Sequence, residues 1–154
     1  MQIVSVFRHA GMAESASLNF EQPLYVYDIK KRKDLGRQQT VSLSITPYRA
    51  MFYAISPQPL KPVQLNVAVS KVAPGSVQQA VVKSALPEGS QAVKVWVTMP
   101  DGKPADWADT VVVTGGQGAT VDVPVAYNDP KGAWTVHATE LYTGVTTTAT
   151  FSVE

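Results

Sequence analysis

The sequence predicts an all-β chain built in two parts, and three observations lead there. Val and Thr abound while Leu and Glu are few, and β-branched side chains pack well on a pleated surface. Ten glycines and 11 prolines fall between short runs of alternating apolar and polar residues, which is the punctuation of strands joined by tight turns. Midway, Pro57-Gln58-Pro59-Leu60-Lys61-Pro62 places three prolines in six residues. Such a segment blocks sheet pairing and stiffens the chain toward polyproline geometry, so it divides the chain.

In the first part, strand-like runs occupy 2–8, 17–20, 23–29, 38–45 and 48–56. The run 23–29 carries apolar bulk on both faces: Leu24 and Val26, with Asp28, point one way, and Tyr25, Tyr27 and Ile29 the other. A strand covered on both faces belongs inside a sheet. Lys30-Lys31-Arg32-Lys33 then reads as a hairpin tip, where four cations are solvated at little cost and blunt edge-to-edge aggregation. Residues 1–60 are read as a small antiparallel β-domain, a β-hairpin unit.

In the second part, runs recur at 63–70, 76–84, 91–99, 109–114, 118–126, 132–140 and 145–153. Seven strands at this spacing predict an Ig-like β-sandwich over residues 62–154. Turn chemistry separates them at Pro74-Gly75, Pro87-Glu88-Gly89, Asp101-Gly102, Gly115-Gly116, Asn128-Asp129-Pro130 and Thr143-Gly144, where Gly supplies positive φ and Asn or Asp supplies local side-chain bonds. The sixth run alternates cleanly, with Trp134, Val136 and Ala138 on one face and Thr135, His137 and Thr139 on the other. By the same period, Trp96 lies opposite Val93, Val95, Val97 and Met99 and is expected on the outer face of its sheet.

The 154 residues, 45% of them hydrophobic, suffice for one ordinary domain or two small ones. The absence of cysteine excludes disulfides, thiolate nucleophiles and Cys-ligated zinc. A net charge of +1 supplies no overall positive field for nucleic acid. That charge is divided: residues 1–61 hold eight Lys and Arg against four carboxylates, +4, and the remainder holds five against eight, −3. Opposite signs favour docking of the halves, within the limits of screening. The opening MQIVSVFRHAG has no basic segment before its apolar stretch, and no apolar run approaches a membrane span. No export signal or membrane contact is therefore expected within the chain, and Met1 is read either as a true start or as a cut from a longer protein.

Candidate chemistry is sparse. His9 and His137 stand in different parts without a ligand or triad partner at useful spacing, so both are read as ordinary surface or interface histidines. Asp101, Asp106 and Asp109 share one loop, but their spacing lacks the glycine and terminal glutamate of a helix-loop-helix calcium site; solvated carboxylates are expected, with no metal and no cofactor. The basic run 30–33 has no interleaved aromatics to stack bases. Catalytic residues are expected to be none. Trp96 and Trp107 are the candidates for stacking a sugar or for an interface.

The stretch Leu24-Tyr25-Val26-Tyr27-Asp28-Ile29 through Leu35-Gly36, followed by Val41-Ser42-Leu43-Ser44-Ile45-Thr46-Pro47 and Ala50-Met51-Phe52-Tyr53-Ala54-Ile55, resembles the hairpin pattern of the β-domains that close bacterial β-galactosidase-like glycoside hydrolases. Gly132-Ala133-Trp134-Thr135-Val136-His137-Ala138, with Thr143-Gly144 and the final strand, is similar to the Ig-like or macroglobulin-like module that follows them. The resemblance implies a non-catalytic tail whose partner is an upstream catalytic domain in cis or an oligomeric partner, with polysaccharide as a further partner. It implies residence outside the cytoplasm if the parent is secreted. None of the matching positions is catalytic in that family. A carbohydrate-binding module acting in its own right is the rival expectation.

Overall fold

The computed structural model describes residues 1–86 and 89–154; Pro87 and Glu88, within one expected turn, lie outside the described residues. Among the described residues all regular structure is β except one short 3₁₀ turn at Asp106–Ala108. The chain divides into two compact units, Met1–Leu60 with Tyr142–Gly144, and Lys61–Leu141 with Val145–Glu154.

The first unit is one antiparallel sheet of β1 (Gln2–Val6), β2 (Glu14–Asp28), β3 (Lys33–Ile45) and β4 (Met51–Ser56), in the order β1-β4-β2-β3. The strand with apolar bulk on both faces, β2, is interior as expected, with Val26, Tyr27 and Asp28 all buried. The expected runs 17–20 and 23–29 form one strand of 15 residues. Their join is a bulge: between the pairs Asn19↔Thr40 and Leu24↔Gln38, four residues of β2 oppose one of β3. Pro23 sits in that bulge, where its missing N–H deprives the ladder of nothing. The core gathers Val26, Val41, Leu43, Ile45, Tyr53 and Ile55, with Leu18 ahead of the bulge and Phe20 within it.

The basic run occupies the expected hairpin tip. Asp28 accepts the Lys31 backbone N–H at 3.0 Å, and Arg32 takes a positive φ of 48°. The last strand begins at Met51 rather than 48, because Pro47 and Tyr48 are spent on a turn in which Tyr48 has φ 62°.

The second unit packs two sheets on one core. The smaller contains β5 (Gln64–Val67), β7 (Val77–Lys83) and β10 (Ala119–Pro124), in the order β10-β7-β5. The larger contains β6 (Lys71–Val72), β8 (Gln91–Thr98), β9 (Thr110–Thr114), β11 (Gly132–Glu140) and β12 (Thr146–Val153), in the order β6-β12-β11-β8-β9. Inward residues of both sheets, among them Val82, Val93, Val95, Val123, Trp134 and Val136, are fully buried. This is a β-sandwich, as its alternation predicted.

Its strand count departs from the expected seven. The run 63–70 yields the shorter strand β5, which pairs antiparallel with β7; the chain then crosses, and just beyond the run a further strand, β6, pairs parallel with β12. Eight strands result among the described residues. At the crossing, Gln78 is fully buried and its side chain stands in for a neighbouring strand, accepting the Val69 N–H at 3.4 Å and donating to the Val69 carbonyl. The buried Gln78 amide thereby finds partners, as a polar group removed from water must.

Candidate functional site

Trp96 projects from the outer face of the larger sheet, as its place in β8 requires: Val93, Val95 and Val97 are fully buried, while Lys94, Trp96 and Thr98 are only partly so. The ring upon it comes from the adjacent strand. β8 and β11 pair with His137 directly opposite Trp96, and the two rings stack at 3.8 Å with planes 6° apart. His137 Nε2 and the Thr98 hydroxyl lie 2.8 Å apart. Partial burial holds the His137 pKa below the ordinary histidine value, since a low-dielectric setting disfavours the imidazolium. His137 thus packs on an aromatic face beside a row of threonines, Thr135, Thr139, Thr148 and Thr150 standing on or across from its own strand.

Trp107 stands elsewhere, on the 3₁₀ turn in the connection from β8 to β9. The turn is pinned by Ala105 N–H to the Val97 carbonyl at 2.9 Å and Ala108 N–H to the Ala105 carbonyl at 2.8 Å, and Ala105 and Ala108 are both buried. The indole between them is left 50% exposed. Beneath it lies Trp134, 6.1 Å away between ring centroids at a tilt of 48°. Trp134 is itself fixed, its Nε1–H donated to the Pro130 carbonyl at 2.9 Å.

Two shallow concavities flank Trp107. One, of about 330 Å³, is walled by Pro124, Val125, Ala126 and Asp129. The other, of about 280 Å³, includes Thr110, Thr120 and Asp122 with Val112 and Val121. None of the residues flanking Trp107 is one that surrounds Trp96, so the structure does not join the two candidates into one aromatic platform.

The loop carboxylates are likewise apart. Asp101 forms an ion pair with Lys103 at 3.1 Å and accepts the Lys103 backbone N–H at 3.0 Å; that N–H is the leading cause holding its pKa below the usual carboxylate range. Asp109 pairs with Lys94 at 2.8 Å. Among the described residues no three His, Asp or Glu side chains gather as metal ligands. His9 lies beyond the end of β1, its ring 6.2 Å edge-on from Tyr48.

Sequence reasoning placed Trp96 and Trp134 by face, named Trp107 without placing it, and missed what surrounds them. The stacking partner of Trp96 depends on strand register, which the 3₁₀ turn and loop lengths do not announce. One wall of Trp107 comes from the end of β10 and the connection after it, more than a dozen residues away in sequence, and only the clustering of turn signals at Asn128-Asp129-Pro130 hints at a structured loop there.

Neither the known protein families nor the curated proteins contain a match to this chain. Among solved structures, an Arthrobacter globiformis T6 isomalto-dextranase complexed with panose is distantly similar, at 11% identity and a TM-score of 0.34, over 98% of this chain and 29% of that one.

Proposed function

We propose that this chain is a non-catalytic accessory segment that packs against a larger polypeptide of the glycoside-hydrolase type, in cis or as a subunit. The observation that carries this reading is the outer face of the first unit at the sheet edge formed by β1. Val4 and Val6 turn inward to the core, so Ile3 and Ser5 face outward, and Phe52 stands across from Ser5 on the same face. Ile3 is 57% exposed, Phe52 37%, and Phe7, just past the strand, 56%. Apolar side chains grouped on an edge strand, with its ladder groups unpaired on one side, are the surface that a partner covers. The ion pairing of Asp101 and Asp109 with neighbouring lysines also favours a structural role for the loop carboxylates over paired acid–base work.

Sedimentation velocity over a range of concentrations tests the packing role. The uncovered face should drive reversible self-association of the isolated chain, and Ile3→Lys with Phe7→Lys should abolish it without lowering the melting temperature. A chain that stays monomeric at all concentrations, or whose association ignores both substitutions, refutes docking through this face. Assays on aryl glycosides, esters and phosphate esters should give no turnover; activity lost on changing one carboxylate or His137 would refute the non-catalytic reading.

A further inference from the structure

We propose that the end of the sandwich bearing Trp107 is a binding site for a neutral, hydroxyl-rich ring ligand: a pyranose unit of an uncharged glycan. This goes beyond the accessory reading and rests on different residues.

The first argument is rigidity. An exposed indole ordinarily folds down to cover its own apolar surface, yet Trp107 is held out by a turn whose neighbours Ala105 and Ala108 are anchored in the core, and it is backed by Trp134. The facing wall is fixed as well. Val125 exchanges backbone hydrogen bonds with the segment after β6, its carbonyl accepting the Gly75 N–H at 2.8 Å and its N–H donating to the Ser76 carbonyl at 2.9 Å. Asp129 closes the loop by accepting the Ala126 N–H at 2.7 Å. The ring of Tyr127 lies against Gly75 so closely that a Cβ there would meet it at 2.5 Å. A surface ordered before the ligand arrives loses less entropy on binding.

The second argument is chemistry. On one flank Pro124, Val125 and Ala126 offer an apolar wall facing an aromatic ridge; on the other Thr110, Thr120 and Asp122 offer hydroxyls and a carboxylate. A pyranose has both surfaces, a C–H face that stacks on an aromatic ring and a rim of hydroxyls that donate to carboxylates and exchange hydrogen bonds with threonines. Space of about 300 Å³ on each side is at the lower end of small-ligand sites, enough for a ring on each side of the ridge.

The third argument is charge. Neither flank contains Lys or Arg, and each contains a carboxylate, Asp122 or Asp129. Phosphate and uronate groups are repelled there, which excludes nucleic acid and acidic polysaccharide in favour of a neutral chain. Trp96 lines neither flank and stacks on His137 elsewhere.

Affinity gel electrophoresis of the whole chain tests the site, with dextran, mixed-linkage β-glucan, arabinoxylan and galactomannan as neutral probes and carboxymethylcellulose as the anionic one. At least one neutral polymer should retard the chain, and carboxymethylcellulose should not. Trp107→Ala should weaken retention tenfold or more, Trp107→Phe less, and Trp96→Ala should leave it unchanged, with melting temperatures measured alongside. Retention that follows Trp96, or that survives Trp107→Ala, or its absence with every neutral polymer, overturns the proposal. A shift in Trp107 fluorescence with a proline-rich peptide and with none of the polymers would assign the surface to peptide and overturn it equally. Failure here leaves the packing face of β1 untouched.

Discussion

Trp134 and Trp96 show how far single residues are legible. Period two places Trp134 with Val136 and Ala138, and it is fully buried, 5.9 Å from the ring of Phe151. Trp134→Ala should therefore cost about 3 to 5 kcal/mol, the range for large aromatics deleted from cores, read as a fall in the urea midpoint. Trp96→Ala, on the outer face, should cost much less; equal losses would contradict the face assignment. The Trp96–His137 stack was not legible, because pairing partners depend on a register that a single strand does not carry. His137 adds a pH dependence. Its folded pKa is lowered by burial, so the folded chain binds this proton more weakly than the unfolded one. The stabilisation is complete above the unfolded value of about 6.5 and is lost as pH falls from there through the lower folded value. An NMR titration of the ring should give a midpoint below 6.5; a midpoint above it would mean that the indole face stabilises the imidazolium more than burial opposes it.

At the scale of elements, the interior position of β2 was legible, since apolar residues on both faces leave a strand no solvent side. The bulge at Pro23 and the crossing between β5 and β6 were not. Both depend on what lies alongside: β3 must give up one residue against four, and Gln78 must be buried to receive the backbone of Val69. Alternation alone reads Gln78 as one polar residue in Val77-Gln78-Gln79-Ala80, with nothing to say that it points inward while Val77 is 55% exposed. Gln78→Leu keeps the volume and removes three hydrogen bonds, the two to Val69 and the one accepted from the Gln79 N–H. The mutant should lose about 1 to 3 kcal/mol for the lost side-chain hydrogen bonds, with amide exchange accelerating at Val69 ahead of the rest of the sandwich. Unchanged protection at Val69 would show that water or a shifted strand replaces the amide.

For the whole molecule, the decisive feature is the segment from Pro57 to Pro62. Its ends are tied to separate structures: the Leu60 N–H donates to the Tyr27 hydroxyl at 2.7 Å, and the Lys61 carbonyl accepts from the buried Gln91 side chain at 3.2 Å. Between these anchors and β4, Pro57, Gln58 and Pro59 are exposed. Each unit has its own core, and Val63, 3% exposed, already belongs to the second. Exposed linkers with few contacts are cut before folded domains, so we expect brief digestion with thermolysin or proteinase K to open the chain between Pro57 and Lys61. Trypsin is a poor probe, because Pro62 follows Lys61. Mass spectrometry should find a resistant product starting near Val63 and running to Glu154, and that product should unfold cooperatively with Trp134 still buried. Degradation with no stable second-unit fragment would mean that the sandwich depends on residues 1–60 to stay folded, and the division of the chain into two self-sufficient domains would then fail.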